Sequence, residues 1–506
     1  MTALYYDWIA NNAMRRPESL AAVDLGSGRR LTYAMFDERI GRLAAVLRHS
    51  LGVKRGDRVA VFAPNTTETF EAQFATARLG AVFVPLNWRL AIPELRAILT
   101  DCAPVVLIHD LEFTDRAGAL AETFPAMRLC AFGTPESHYE QSLTAAEPLA
   151  SPERATLDEI STILYTSGTT GIPKGAIITH AMNFWNVVNC TGPAIISRSS
   201  VFLGVLPLFH TGGLNVFANP VFHYGGTVII MRAFDPGEAL RLIGDPAMGI
   251  THMFGVPAIF QFMGAHPDFA RTDLSGLVFA GVGGAPTPNA ILSAWNEHGV
   301  ILQQGFGMTE TSPIVMLLDK EDAIRKLGSA GKPILHGQVK IVRTDGSDAP
   351  ANEVGELWVR GDHITPGYWQ KPDVTKAAFT DGWLHTGDAA TMDDEGFYTI
   401  VDRWKDMYIS GGENVYPAKV ENVLYQIPTL AEAAVIAIAD RRWGEVGRAV
   451  VVVKPDLILT EDEVLAHCAA NLARYKMPHS VVFTDALPRN ATGKVHKPTL
   501  RKTFGA

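Results

Sequence analysis

Cysteine is scarce in this chain. Four occur in 506 residues, at 102, 130, 190 and 468, and no two form a C-x-x-C pair. That pattern excludes a zinc ribbon and a disulfide-stapled scaffold, and it points to reduced thiols in a cytosolic protein. Charged residues make up only 19% and sum to −9, so the surface is unsuited to a phosphate backbone and a general nucleic-acid binder is excluded. No apolar run reaches the length of a bilayer span. Residues 1–18 lack the basic start and apolar stretch of a secretory signal, and the final RKTFGA carries no retention or lipidation pattern. Two nucleotide signatures are also missing. Neither G-x-x-x-x-G-K-[ST] nor a strand-linked G-x-G-x-x-G occurs, which disfavours a P-loop protein and a nicotinamide enzyme. What is abundant is apolar: 47% of residues, too many for a disordered chain and enough for two or more cores.

Periodicity organises that apolar content. Phe36, Ile40, Leu43 and Leu47 recur at helical spacing behind a Thr32 N-cap, predicting a helix over 32–50. DRVAVFA, AVFVP, PVVLI, STILYT, GTVIIM and LVFAG read as buried strands, and TFEAQFATARLG as a helix stopped by Gly80. Their alternation predicts an α/β fold built on parallel, doubly wound sheets. Between about 326 and 402, short strand-like runs separated by Gly, Asp and Pro predict a β-rich subdomain. A small α+β pattern follows, with a Thr460…Glu463 capping box opening a helix near 461. Residues 471–506 carry a net charge of +6, against −9 for the whole chain. The expected division is therefore 1–402, a junction at 403–406, and 407–506.

The segment YTSGTTGIPKGAIITH (165–180) carries the most chemistry. Thr166, Ser167, Gly168, Thr169, Thr170 and Gly171 offer hydroxyls and closely approachable backbone N–H groups, and Lys174 adds a positive charge. Those are the requirements of an anion cradle. Further strings follow in order: LPLFHTGG (206–213), GGAPTP (283–288), QGFGMTETS (304–312), WLHTGD (383–388), DRWKDMYISGGENVYPAKVE (402–421) and PRNATGKVHK (488–497). Together they resemble the adenylate-forming superfamily of acyl-CoA synthetases, peptide-synthetase adenylation domains and luciferases, over nearly the whole chain.

That resemblance implies a two-step reaction: a carboxylic acid attacks the α-phosphorus of ATP, giving acyl-AMP and pyrophosphate, and coenzyme A then displaces AMP. Bringing two anions together demands neutralisation and alignment. The resemblance assigns Lys494 to the carboxylate and α-phosphate, Lys174 to the distal phosphates, and Glu310 to Mg²⁺. Gly283, Gly284, Ala285, Gln304, Gly305, Phe306, Gly307, Met308 and Thr309 border the nucleotide. Phe306 stands where the family usually has Tyr, which keeps a ring face for adenine and loses a hydroxyl. Asp388 is assigned to the ribose hydroxyls and Arg403 to ribose or phosphate. Without that resemblance, Thr309–Glu310 would fit the start of a surface helix, Asp388 a turn cap, and Arg403 an interdomain ion pair.

For the second step the resemblance implies a mobile C-terminal domain hinged at Lys405. Gly411 and Gly412 would border a thiol path, although the same pair also fits a tight hairpin. Trp443, Tyr475 and Lys476 are expected CoA contacts. The acyl pocket is expected from 184–185, 209–217, 253–260 and 281–285, with His210, Gly212, Phe254 and Gly283 as its named members. His210 is read as a wall, not a general base. With no Lys or Arg evident for a second carboxylate, an apolar fatty or aromatic monocarboxylic acid is expected. The partners are therefore acid, ATP and CoA, with a homodimer compatible. Acylation of a carrier protein, a luciferase-like oxidative fate and a catalytically silent nucleotide-binding module stand as alternatives.

Overall fold

Residues 3–149, 151–166, 173–489 and 494–505 are described in a computed structural model of the chain; the Lys405 side chain lies outside it. Local signals explain many boundaries. The Thr32 hydroxyl accepts from Met35 N and opens the helix Tyr33–Ala45, which continues as a π-helical turn over Val46–Ser50 in place of the uniform helix expected to 50. The helix Thr67–Leu79 stops at Gly80, which takes φ +61. Thr460 and Glu463 form the expected reciprocal cap on Glu461–Asn471.

Two large sheets make the N-terminal part. One has six strands in the order Arg128–Phe132, Val106–Asp110, Arg58–Phe62, Val82–Pro85, Ile160–Thr166 and Lys174–Thr179. The other has nine, in the order Lys332–Pro333, Ile314–Leu317, Leu302–Gly307, Phe279–Gly283, His252–Gly255, Val201–Gly204, Thr227–Ile230, Leu20–Asp24 and Arg30–Thr32. The sheets are mixed where alternation predicted parallel ones. Lys174–Thr179 returns antiparallel along Ile160–Thr166, and Ile314–Leu317 runs antiparallel to Leu302–Gly307. Leu20–Asp24 leaves the neighbouring first-sheet strands altogether and pairs with Thr227–Ile230 across about 200 residues.

The helix Thr67–Leu79 is buried at every position. Its apolar side chains share a core with strands of both sheets, among them Val59, Phe83, Phe202 and Val228. A helix enclosed this way has to satisfy its polar groups inside the protein. Arg39 forks onto both oxygens of Glu71, and Oε2 also accepts the Tyr139 hydroxyl at 2.6 Å. Glu68 takes Arg29 at 2.6 Å, and Arg78 takes Asp7 and Asp37.

A five-stranded antiparallel sheet follows, containing Gln338–Val342, Gly355–Arg360, Phe379–Thr380, Trp383–Met392 and Tyr398–Arg403. It begins later than the expected 326, because Lys332–Pro333 still edges the nine-stranded sheet. The last sheet joins Tyr408–Ser410, Glu413–Val415, Leu430–Asp440, Gly444–Val453 and Pro478–Phe483. The helices Pro417–Leu424 and Glu461–Asn471 pack on it over a separate apolar core. The short turn Trp404–Asp406 joins the last two sheets and contains Lys405.

Candidate active site

In the nine-stranded sheet, neighbouring parallel strands end side by side at Phe254–Gly255, Gly283–Gly284 and Gly305–Met308. Carboxyl ends of parallel strands are where such sheets bind ligands. The chain reverses tightly there. Gly284 takes φ +80, and a Cβ at Gly307 would lie 1.9 Å from Pro313 O. A Cβ at Gly283 would lie 2.7 Å from Gly305 O, and one at Gly305 would press on Leu317 and Met316. The small residues expected beside a nucleotide therefore also serve strand packing. Ala285 is half-buried, and Phe306 and Met308 are half-buried against the core of the five-stranded sheet. Gln304 differs from expectation in its side chain, which is buried and donates to Ser329 O at 3.0 Å.

Lys494 reaches this edge from the C-terminal sheet's side. Its Cε lies 3.4 Å and its Nζ 3.7 Å from the position of a Gly284 Cβ. Burial pushes the ammonium down to about 8, helped by Arg403 and opposed by Asp388 and Glu310. The acidic partners come from a strand of the five-stranded sheet and from a turn between two strands of the nine-stranded one. Asp388 faces Arg403 across adjacent strands, with Arg403 Nε 3.0 Å from Oδ1. The Asp388 Oδ2 is buried without a hydrogen-bond partner, and burial raises the carboxyl to about 6 despite Arg403 and Lys494. An orphaned acceptor beside a cation is chemically suited to hydroxyl donors such as a ribose diol.

Glu310 sits in the buried turn Thr309–Thr311. Its Oε1 accepts the Tyr368 hydroxyl at 2.8 Å, and its backbone O accepts Thr365 N at 2.7 Å. The Lys174 ammonium lies 5.6 Å from the centre of the same Tyr368 ring. Tyr368 thus joins two residues that are 136 apart in sequence and was not foreseen. It comes from a loop that is stitched to the Lys174 strand, with Trp369 N donating to Gly175 O at 2.8 Å and Ile177 N to Gly367 O at 3.1 Å. The only advance signal was a Tyr-Trp pair after Pro-Gly in a nonperiodic stretch. Thr166 pairs with Lys174 across the hairpin that carries the cradle loop. The cradle residues Ser167, Gly168, Thr169, Thr170 and Gly171 lie outside the described residues.

A lone carboxylate with a fixed outer partner fits Mg²⁺, which keeps most of its water and binds through one or two carboxylates plus phosphate. Among the described residues no cluster of three or more His, Cys, Asp or Glu could hold a metal alone.

The segments expected to build the acyl pocket are aromatic. The Phe254 and Phe217 rings lie 5.6 Å apart, and Phe254 Cζ is 3.5 Å from a Gly283 Cβ. His210 precedes the short helix Thr211–Leu214 with its ring beside Phe209. Burial and the Lys494 charge push its imidazole down to about 3, so it is neutral at pH 7. Gly212 has only a Leu206 methyl near its missing Cβ, whereas at Gly213 a Cβ would lie 2.4 Å from Pro207 O. Arg89, which no motif marks, lies over the rings of Trp88 at 4.9 Å and Phe209 at 6.0 Å.

The expected thiol-path residues form their own group. Gly411 and Gly412 make the turn between Tyr408–Ser410 and Glu413–Val415, with φ +60 and +89. A Cβ on Gly411 would strike the Trp443 ring at 2.7 Å, so that glycine makes room for tryptophan in this arrangement. Tyr475 and Lys476 form the turn Arg474–Lys476, with the Lys476 ammonium 5.2 Å from the Tyr475 ring. The structure gives Lys494 contact with Gly284 and gives this hairpin contact with Trp443.

Comparison with known proteins decides the family. The AMP-binding enzyme family matches residues 9–369, and the AMP-binding enzyme C-terminal domain matches 419–494. The chain belongs to the AMP-binding enzyme family. A feruloyl-CoA synthase of an Amycolatopsis species is 42% identical over 498 residues, covering 98% of each chain. An indoleacetate–CoA ligase of Aromatoleum aromaticum is 39% identical over 505 residues, covering 98% of this chain and 97% of its own. Among solved structures, ATP-bound MatB from Rhodopseudomonas palustris superposes with a TM-score of 0.92 at 30% identity, covering 100% of this chain and 99% of that one. As an AMP-binding enzyme the chain has the large N-terminal and small C-terminal parts of such structures. Among its described residues no helix is long and apolar enough to cross a membrane.

Proposed function

We propose that this AMP-binding enzyme is an AMP-forming acyl-CoA ligase acting on an aromatic monocarboxylic acid. One observation carries the reading: Lys494, from the small domain, lies against Gly284 at the strand ends, under the influence of Asp388, Arg403 and Glu310. Residues 1–402 form the nucleotide and acid half, the turn 403–406 is the junction, and 407–506 form a lid that turns on Lys405.

In the first step Asp388 accepts the ribose hydroxyls and Arg403 steadies it. Phe306 offers its ring to adenine, while Gly284, Ala285 and Met308 border the nucleotide. Lys174 and the loop Thr166–Gly171 hold the outer phosphates. Glu310, oriented by Tyr368, would hold Mg²⁺, which supplies charge neutralisation on phosphate oxygens. Lys494 draws the acid carboxylate and the α-phosphate together, and neutral His210 walls that position without competing for the charge. The acid C–O oxygen bonds to the α-phosphorus as the bond to pyrophosphate breaks. In the second step the lid turns, Lys494 withdraws, and the Gly411–Gly412 hairpin approaches with Trp443, Tyr475 and Lys476. The thiol gives up its proton to solvent water, its sulfur bonds to the acyl carbon, and the acyl–oxygen bond to AMP breaks.

Aromatic acids are favoured because the rings of Phe217, Phe254 and Phe209 cluster among the residues expected to build the acid side. Relatives at 42% and 39% identity are named for feruloyl and indoleacetyl transfer. A panel of phenylpropenoic, arylacetic, benzoic and fatty acids with ATP, Mg²⁺ and CoA tests this, reading AMP and thioester together. Turnover confined to fatty acids would overturn the substrate class. AMP release without thioester, or transfer only to a phosphopantetheinylated carrier, would overturn the ligase reading.

A further inference from the structure

We infer that Gln261 and Phe262 are positioning residues that clamp the small domain in the arrangement placing Lys494 at the cleft. This rests on the ligase reading above. Both side chains belong to the helix Pro257–Ala265, whose Phe260 is fully buried while Phe262 is 43% exposed. Gln261 Nε2 donates to Ala431 O at 2.5 Å, from the large part to the first residues of Leu430–Asp440. The Arg489 guanidinium lies 6.0 Å from the Phe262 ring centre. Arg489 is ion-paired with Glu432, next to Ala431, and bridges to Val495, next to Lys494. Two adjacent residues of one helix therefore grip both the end of a lid strand and the root of the segment that carries the lysine.

The same helix starts just after Phe254–Val256, and Val256 Cγ1 lies 3.6 Å from the Gly284 Cβ position that Lys494 also approaches. One rigid element thus runs from the wall of the acid site to the lid. Placing the lysine's charge in a confined cleft opposes docking. The hydrogen bond and the cation–ring contact favour it, and both are lost when the lid turns. The clamp therefore biases the lid toward the first half-reaction without touching the substrates.

The test measures the half-reactions separately on the full chain. The first is acid-dependent exchange of pyrophosphate into ATP; the second is AMP release from synthetic acyl-adenylate plus CoA. Gln261→Ala should slow exchange about fivefold, and Phe262→Ala about threefold. Release from supplied adenylate should be unchanged or faster. Gln261→Glu keeps the shape but loses the donor and should behave as Gln261→Ala, whereas Phe262→Tyr should retain the wild-type rate. Equal loss in both half-reactions, or no loss in either, overturns the clamp. Amide hydrogen exchange supplies a readout independent of acid identity: segments covering 430–432 should exchange faster in the double variant with ATP present, and unchanged exchange rejects the contact. If the wild type exchanges no pyrophosphate with any acid, the ligase reading fails while the amide measurement still decides the clamp.

Discussion

Replacing Lys494 with methionine should tighten lid docking on an empty cleft and weaken it on a cleft holding ATP. In the docked arrangement the ammonium falls from 10.5 to about 8, chiefly through burial. At 1.36 kcal/mol per pH unit, that opposes docking of the charged lysine by about 3 kcal/mol. The side chain is only half-buried, so solvent screening reduces the net effect to about 1–2 kcal/mol, or about tenfold in the docking equilibrium. The sign follows from the lowered value. An undocked, exposed lysine holds its proton to its ordinary 10.5, so the penalty is complete below about 8, declines from there to 10.5, and is absent above. Wild-type docking should therefore strengthen as pH rises through that window, and docking of Lys494→Met should not change. ATP reverses the order, because phosphate turns the buried cation into a counterion.

Energy transfer between labels on the two domains reads this directly. All four native cysteines are buried, so labels can be directed to Ser199→Cys and Thr503→Cys at exposed positions. The reasoning is refuted if Lys494→Met docks no better than wild type at pH 7, or if ATP tightens both equally.

Three other substitutions probe the remaining groups. Asp388→Asn keeps the shape and removes the charge at the orphaned acceptor, so kcat/KM for ATP in pyrophosphate exchange should fall about tenfold or more. In the wild type the same parameter should decline as pH falls through about 6, where the raised carboxyl takes up its proton. Tyr368→Phe removes the 2.8 Å hydrogen bond to Glu310, and the Mg²⁺ concentration giving half-maximal exchange should rise at least about tenfold. Glu71→Ala leaves Arg39 only its Glu140 partner and orphans the buried Tyr139 hydroxyl, and should cost about 1–3 kcal/mol in the urea transition of the large domain, with a much smaller effect on exchange under native conditions.

Strong local periodicity made much of the architecture legible. Thr32, Gly80 and the Thr460–Glu463 box act within one turn of the chain, and the structure places them as element boundaries. Strand partners were less accessible, because pairing is settled between distant segments. Nothing within 20–24 shows that this strand joins 227–230, and nothing in the 174–179 pattern shows its antiparallel return. The candidate site divides in the same way. Lys174, Glu310, Asp388 and Lys494 stand in recognisable strings, whereas Tyr368, Gln261 and Phe262 matter through what lies opposite them. Their partners are more than 50 residues away in every case.

Charge placement also explains why the acid side needs no base. The substrate enters already ionised, and its obstacle is repulsion from phosphate. In the proposed reaction, a second cation at His210 would hold the carboxylate back from the phosphorus toward which Lys494 is to draw it. Burial beside that lysine keeps the imidazole neutral down to about pH 3, so the ring shapes the passage without adding charge. The same environment lowers Lys494 only to about 8, leaving it mostly protonated at neutral pH, with Asp388 and Glu310 working against the loss. Two basic groups in one cleft are thus driven to different protonation states, one neutral and one charged. That separation is what joining a carboxylate to a phosphate requires.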